Sequence, residues 1–69
     1  MPERLANGIK DRRAELGLTQ AELAERVGVT RKTVNTIENA VFTPSTILAL
    51  KLAEALDLKV EELFRIIED

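Results

Sequence analysis

The sequence predicts an all-α fold, a compact bundle of five short helices. Apolar residues recur at helical spacing along most of the chain, and nothing alternates with period two for long. The two prolines and three glycines fall near the ends of these periodic segments. A length of 69 residues leaves room for one domain, 1–69, with a thin core.

Each element follows in turn. Pro2 suits a first helical turn, and Leu5, Ile9 and Leu16 continue the helix until Gly17 stops it. Thr19-Gln20-Ala21-Glu22 reads as a capping box that opens a second helix with Leu23, Ala24 and Val27 inward and Gly28 as its left-handed end. Thr30 caps a third helix that buries Val34 and Ile37. Residues 39–44 form a loop. Ser45 caps a fourth helix reaching about Leu56, apolar on most sides and so central. After a turn at 57–59, a last helix from about Val60 buries Leu63 and either Phe64 or Ile67.

Composition removes several classes of function. Without cysteine or histidine there is no disulfide, no thiol chemistry, no ordinary zinc set and no catalytic dyad. Neither a catalytic residue nor a metal or cofactor is expected. The carboxylates Glu61, Glu62, Glu68 and Asp69 have no partner nucleophile, and Ser45, the only serine, is explained as a cap. The longest apolar run, Ile47–Leu50, is too short for a membrane, and the N-terminus lacks a secretory layout, so a cytoplasmic protein is expected, joining the nucleoid if DNA-bound. No small-molecule ligand is expected either. Net charge is −2, but unevenly placed: residues 1–39 carry seven Lys/Arg against six acids, and residues 40–69 three against six. Local field rather than total charge decides nucleic-acid binding, and the first half permits it.

The window from about 19 to 39 holds the strongest signal. Gly28-Val29-Thr30 is too short a connection for the flanking helices to lie antiparallel, so they cross steeply as a helix-turn-helix. Ala24 is small where the backbones approach, Gly28 tolerates positive φ, and Val34 and Ile37 anchor the second helix of the pair. Arg13 lies on the apolar stripe of the first helix and Glu38 on that of the third; opposite charges on facing stripes predict a partly buried structural salt bridge.

Two segments carry a resemblance. LGLTQAELAERVGVTRKTVNTIENA (16–40) and PSTILALKLAEALDLKVEELF (44–64) resemble the lambda-repressor-like (Cro/cI, XRE) helix-turn-helix family. The resemblance implies a double-stranded DNA-binding domain whose third helix lies in the major groove, and the same Arg13–Glu38 pair. It implies a phosphate contact for Gln20, base and backbone reading by Thr30, Arg31, Lys32, Thr33 and Thr36, and a place beside the backbone for Asn39. Asn35 stands where the family varies and is assigned a contact, and Thr43 in the loop joins the DNA-facing set. Side-chain chemistry agrees: Arg takes guanine O6 and N7 together, and a Thr methyl packs on a thymine methyl. Cations at a helix N-terminus oppose the dipole, which favours a functional reason for Arg31 and Lys32.

The chain departs from the family at Ala40, where a glycine is usual, at Val41, where a basic residue is usual, and at Thr46-Ile47, which look interchanged. The reading is a transcriptional regulator, a repressor in the first instance, acting on a palindromic operator as a homodimer. Phe42, Ile47, Leu58 and Val60, apolar and away from the third helix, are the expected dimer interface. The alternative is a protein-interaction module on the same fold, an antitoxin or an adaptor on the transcription machinery, favoured by the acidic second half and the exposed apolar residues.

Overall fold

Helices form where the periodicity places them in the middle of the chain, while its two ends pair as strands. The computed structural model describes residues 2–68. Its elements are β1 (Glu3–Asn7), α1 (Ile9–Leu16), α2 (Gln20–Val27), α3 (Arg31–Glu38), α4 (Thr46–Ala55), α5 (Val60–Leu63) and β2 (Phe64–Glu68). The fold is thus mostly helical, as expected, with one small antiparallel sheet in addition.

That sheet corrects both ends of the sequence reading. The first helix does not begin at Pro2. Residues 3–7 are extended and pair with β2, Leu5 opposite Ile66 and Asn7 opposite Phe64. Leu5 has helical spacing to Ile9 yet reaches the core from a strand. The turn into α1 is made by Asn7, whose Oδ1 accepts from Ile9 N at 3.1 Å, and Gly8 N donates to Leu63 O at 2.9 Å. At the other end α5 stops after Leu63, and Phe64, not Ile67, is the second buried residue. Ile66 and Ile67 are β-branched and favour the extended state once a partner strand is available. Leu16, expected inward, is 42 % exposed; Gly17 at φ 69° turns the chain so that Leu18 is buried instead.

The middle of the chain follows its capping signals. Glu22 N donates to Thr19 Oγ1 and Thr19 N to Glu22 Oε1, a complete capping box. Those bonds, the backbone one first, hold the Glu22 carboxyl below its ordinary pKa. Thr30 caps α3 and Ser45 caps α4 through their hydroxyls. Ile9, Leu23, Val34, Ile37, Leu52, Leu56 and Leu63 are the largest fully buried side chains, drawn from every helix. The core lies behind α2 and α3 and leaves the outer face of α3 to solvent. No helix among the described residues is long and apolar enough to cross a membrane.

Candidate nucleic-acid interface

α2 and α3 meet around Ala24, which is 3 % exposed and whose carbonyl accepts from Val29 N at 3.0 Å, tying the connecting turn to α2. Gly28 adopts φ 76°, a conformation a side chain disfavours. Val34 and Ile37 anchor α3 on the core. Because they are three apart, the opposite side of α3 carries the outward residues.

A polar network sets how α3 stands on its neighbours. Arg13 donates from Nε to Glu38 Oε2 at 2.6 Å and from Nη2 to Glu38 Oε1 at 3.1 Å, and its Nη1 reaches Leu18 O at 3.0 Å. The two side chains are 14 % and 5 % exposed, a nearly buried, two-pronged ion pair. Hydrogen bonding to Glu38 raises the Arg13 pKa above its ordinary value, against the desolvation that lowers it. Gln20, the first residue of α2, adds a link by donating from Nε2 to Glu38 Oε1 at 3.0 Å and to Asn35 Oδ1 at 3.2 Å. Asn39 Nδ2 donates to Asn35 O at 2.9 Å. Both Gln20 amide protons are therefore engaged within the protein, and a phosphate contact through that nitrogen requires releasing one of them.

Several sequence-derived positions meet: Gln20, Asn35 and Asn39 through hydrogen bonds, and Lys32, Thr33 and Thr36 along one cleft. Arg31 and Lys32 are exposed in the first turn of α3, which carries no acid, and neither has an ion-pair partner among the described residues. Thr30, Asn35, Asn39 and Thr43 are exposed, and Thr33 and Thr36 are half-buried. The threonine hydroxyls are taken up locally: Thr30 and Thr33 Oγ1 lie 3.1 Å apart, and Thr36 Oγ1 donates to Thr33 O at 2.9 Å. A cleft of about 460 Å³ between α2 and α4 lies elsewhere, lined by charged residues such as Glu25, Arg26, Lys51 and Glu54. It is lined by none of the sequence-derived positions.

The loop after α3 departs from expectation in one respect. Ala40 adopts φ 58°, the left-handed conformation in which glycine is usual. This returns the chain onto α3, and both Val41 N and Phe42 N donate to Thr36 O, at 2.9 and 3.2 Å. Phe42 is thus not away from the third helix; it lines a cleft with Lys32, Thr33, Thr36 and Val41. Of the other expected interface residues, Ile47 is 68 % exposed, whereas Leu58 and Val60 are half-buried against the core. Two contacts escaped the sequence reading. Asn7 Nδ2 donates to Ile37 O at 2.8 Å, and Arg12 Nε to Leu56 O at 2.8 Å. The Asn7-Gly8 pair is a turn signal that marks the first; nothing in the sequence marks the second.

Two eight-residue helices joined through Gly28, Val29 and Thr30, the second with two exposed cations in its first turn, define a helix-turn-helix protein. A family profile described as helix-turn-helix matches residues 9–63. An uncharacterized HTH-type transcriptional regulator of Methanothermobacter thermautotrophicus is 52 % identical over 62 residues, spanning 88 % of this chain and 90 % of that protein. The P22 c2 repressor, solved in complex with a synthetic operator, superposes with a TM-score of 0.74 at 30 % identity, over 77 % of this chain and 80 % of that one. SinR, a master regulator for biofilm formation solved in complex with DNA, gives 0.70 at 35 % identity, over 77 % and 86 %. The chain belongs to the XRE-type, lambda-repressor-like (Cro/cI) helix-turn-helix family.

Proposed function

We propose that the protein regulates transcription by binding double-stranded DNA at a specific sequence, with α3 in the major groove. The observation that carries this reading is the outer face of α3, where Arg31 and Lys32 stand exposed and unpaired among the described residues at the end that such helices present to base edges. Arg31 is placed to take a guanine edge, with Lys32 on a neighbouring base or phosphate. The α2 N-terminus with Gln20, together with Asn35, Asn39 and Thr43, follows the sugar–phosphate backbone. Repression is favoured because the P22 c2 relative is a repressor. Its place of action is the cytoplasm, on the nucleoid when bound.

The test is binding to a duplex selected from a randomised pool. Arg31→Ala and Lys32→Ala should each weaken specific binding by roughly 1–3 kcal/mol. Equal losses on scrambled duplex would reduce either residue to a phosphate contact, and no loss on either duplex would reject the assignment. Affinity should also fall steeply with salt; a chain that acts only as a protein-interaction module would lack that slope.

A two-fold homodimer on a palindromic site completes the proposal, because one short recognition helix reads too few base pairs for specificity in a genome. Half-sites would then lie roughly 34 Å apart. Ile47, exposed at the start of α4, supplies the main apolar contact of this interface, with the half-buried Leu58 and Val60, beyond the other end of α4, in lesser part. Ile47→Glu should abolish cooperative binding, as read by sedimentation with a palindromic duplex. A complex that stays at one protein per duplex at saturation would reject the dimer.

A further inference from the structure

We infer that the cleft between α3 and the loop after it is a subsite for the 5-methyl group of a pyrimidine, thymine in unmodified DNA, and that Phe42 and Thr36 determine this element of specificity. The inference rests on the DNA-binding reading and adds what one part of the interface recognises. The cleft is open to solvent and is lined by Lys32, Thr33, Thr36, Val41 and Phe42. Val41 is 78 % exposed and Phe42 49 %, so two large apolar side chains stand in water beside the helix assigned to the major groove.

They are held there. Their backbone N–H groups both bond Thr36 O, Ala40 turns the loop back at positive φ, and Pro44 beyond them is buried. Hydroxyl protons on this side of α3 are partly taken up within the helix. The Thr36 hydroxyl donates its proton to Thr33 O, and the Thr30 and Thr33 hydroxyls share one hydrogen bond, so few free donors remain here to compete with an apolar contact. A face with few free hydroxyl donors and two fixed apolar side chains matches an apolar ligand. The only apolar group that a base pair displays in the major groove is the thymine 5-methyl.

Lys32 shares the cleft, bringing a cation to the side that approaches phosphate and base acceptors. That makes DNA a better occupant than a second copy of the chain, which would cover the recognition face when seated here. It also gives a role to Val41, which stands where the family usually carries a cation: a phosphate contact is exchanged for contact with a base.

The experiment uses the whole chain and the duplex selected from a randomised pool, with each thymine replaced in turn by uracil, which lacks only the methyl. One thymine in each half-site should be sensitive, with affinity falling roughly fourfold on removal of its methyl. Phe42→Ala and Thr36→Ser, the latter keeping the hydroxyl and deleting only the methyl, should bind thymine and uracil duplexes equally at that position. Val41→Ser, at the most exposed position, serves should Phe42→Ala perturb folding, and circular dichroism checks each variant. Tight binding with no sensitive thymine overturns this subsite and leaves the DNA-binding reading intact. Unchanged discrimination in both Phe42→Ala and Thr36→Ser overturns it as well, as does a Phe42→Ala variant that alters self-association but not discrimination, which would assign the cleft to a second copy. A chain that selects no duplex at all overturns the DNA-binding reading and the subsite together.

Discussion

The two ends of α3 are built on opposite principles. Its N-terminal flank is local: Gly28 takes positive φ without a side chain to strain, and Thr30 closes the first turn through its hydroxyl. Its C-terminal flank is closed by turn bonds, Ala40 N to Ile37 O and Val41 N and Phe42 N to Thr36 O, but against local costs. Glu38 places an acid at the negative end of the helix dipole, the last turn carries no cation, and Ala40 holds a left-handed backbone despite its Cβ. Tertiary contacts add to those bonds. Arg13 from α1 and Gln20 from α2 bind Glu38, and Asn7 from β1 adds a second donor to Ile37 O, which also accepts from Ala40 N. The contrast teaches that a helix can be started by its own sequence alone and finished with help from the rest of the fold.

The largest effect expected from breaking this contrast is at Glu38. Glu38→Ala strands the nearly buried Arg13 and should cost about 3–5 kcal/mol in urea or thermal unfolding, with strong coupling in a double-mutant cycle. In so small a domain that is a large share of the total stability. Thr30→Ala at the other flank should cost about 1 kcal/mol. Equal losses at the two sites would erase the distinction between the flanks.

A smaller effect is expected from Asn7→Asp, which keeps the acceptor for Ile9 N but replaces the donor to Ile37 O with a carboxylate oxygen. A loss of about 1–3 kcal/mol is expected. Hydrogen exchange should quicken first at the amides of Ala40 and Val41, which close the helix end. Faster exchange confined to β1 would show that Asn7 serves its own turn and not α3.

The smallest pair sharpens the comparison by exchanging the two turn residues. Gly28→Ala should destabilise and Ala40→Gly stabilise, by about 1 kcal/mol each. An added Cβ at Gly28 meets nothing within 4 Å, so the penalty there is backbone strain alone. The double variant should unfold near the wild-type midpoint. A destabilised Ala40→Gly would mean that loop flexibility outweighs relief of strain, and the loop that holds Phe42 would then depend on the alanine.

What the sequence determined by itself was every feature carried by residues close together along the chain. Thr19 with Glu22, Gly28, Thr30 and Ser45 mark element ends through bonds spanning a few residues, so α2, α3 and α4 and the outward face of α3 were legible from pattern. The Arg13–Glu38 stripe argument located two charges on facing helices because helical period gives direction as well as position. Only the tertiary structure decided the rest. β1 and β2 pair Glu3 with Glu68 and Asn7 with Phe64, partners at opposite ends of the chain. Leu5 and Ile9 are compatible with a helix or with a strand leading into one, so period could not choose. The choice falls to backbone hydrogen bonds that exist only once the bundle has brought the two ends side by side. The same holds for Phe42: its apolar character was plain, but its position beside α3 depends on the turn at Ala40, a conformation that alanine itself disfavours and that the surrounding packing imposes.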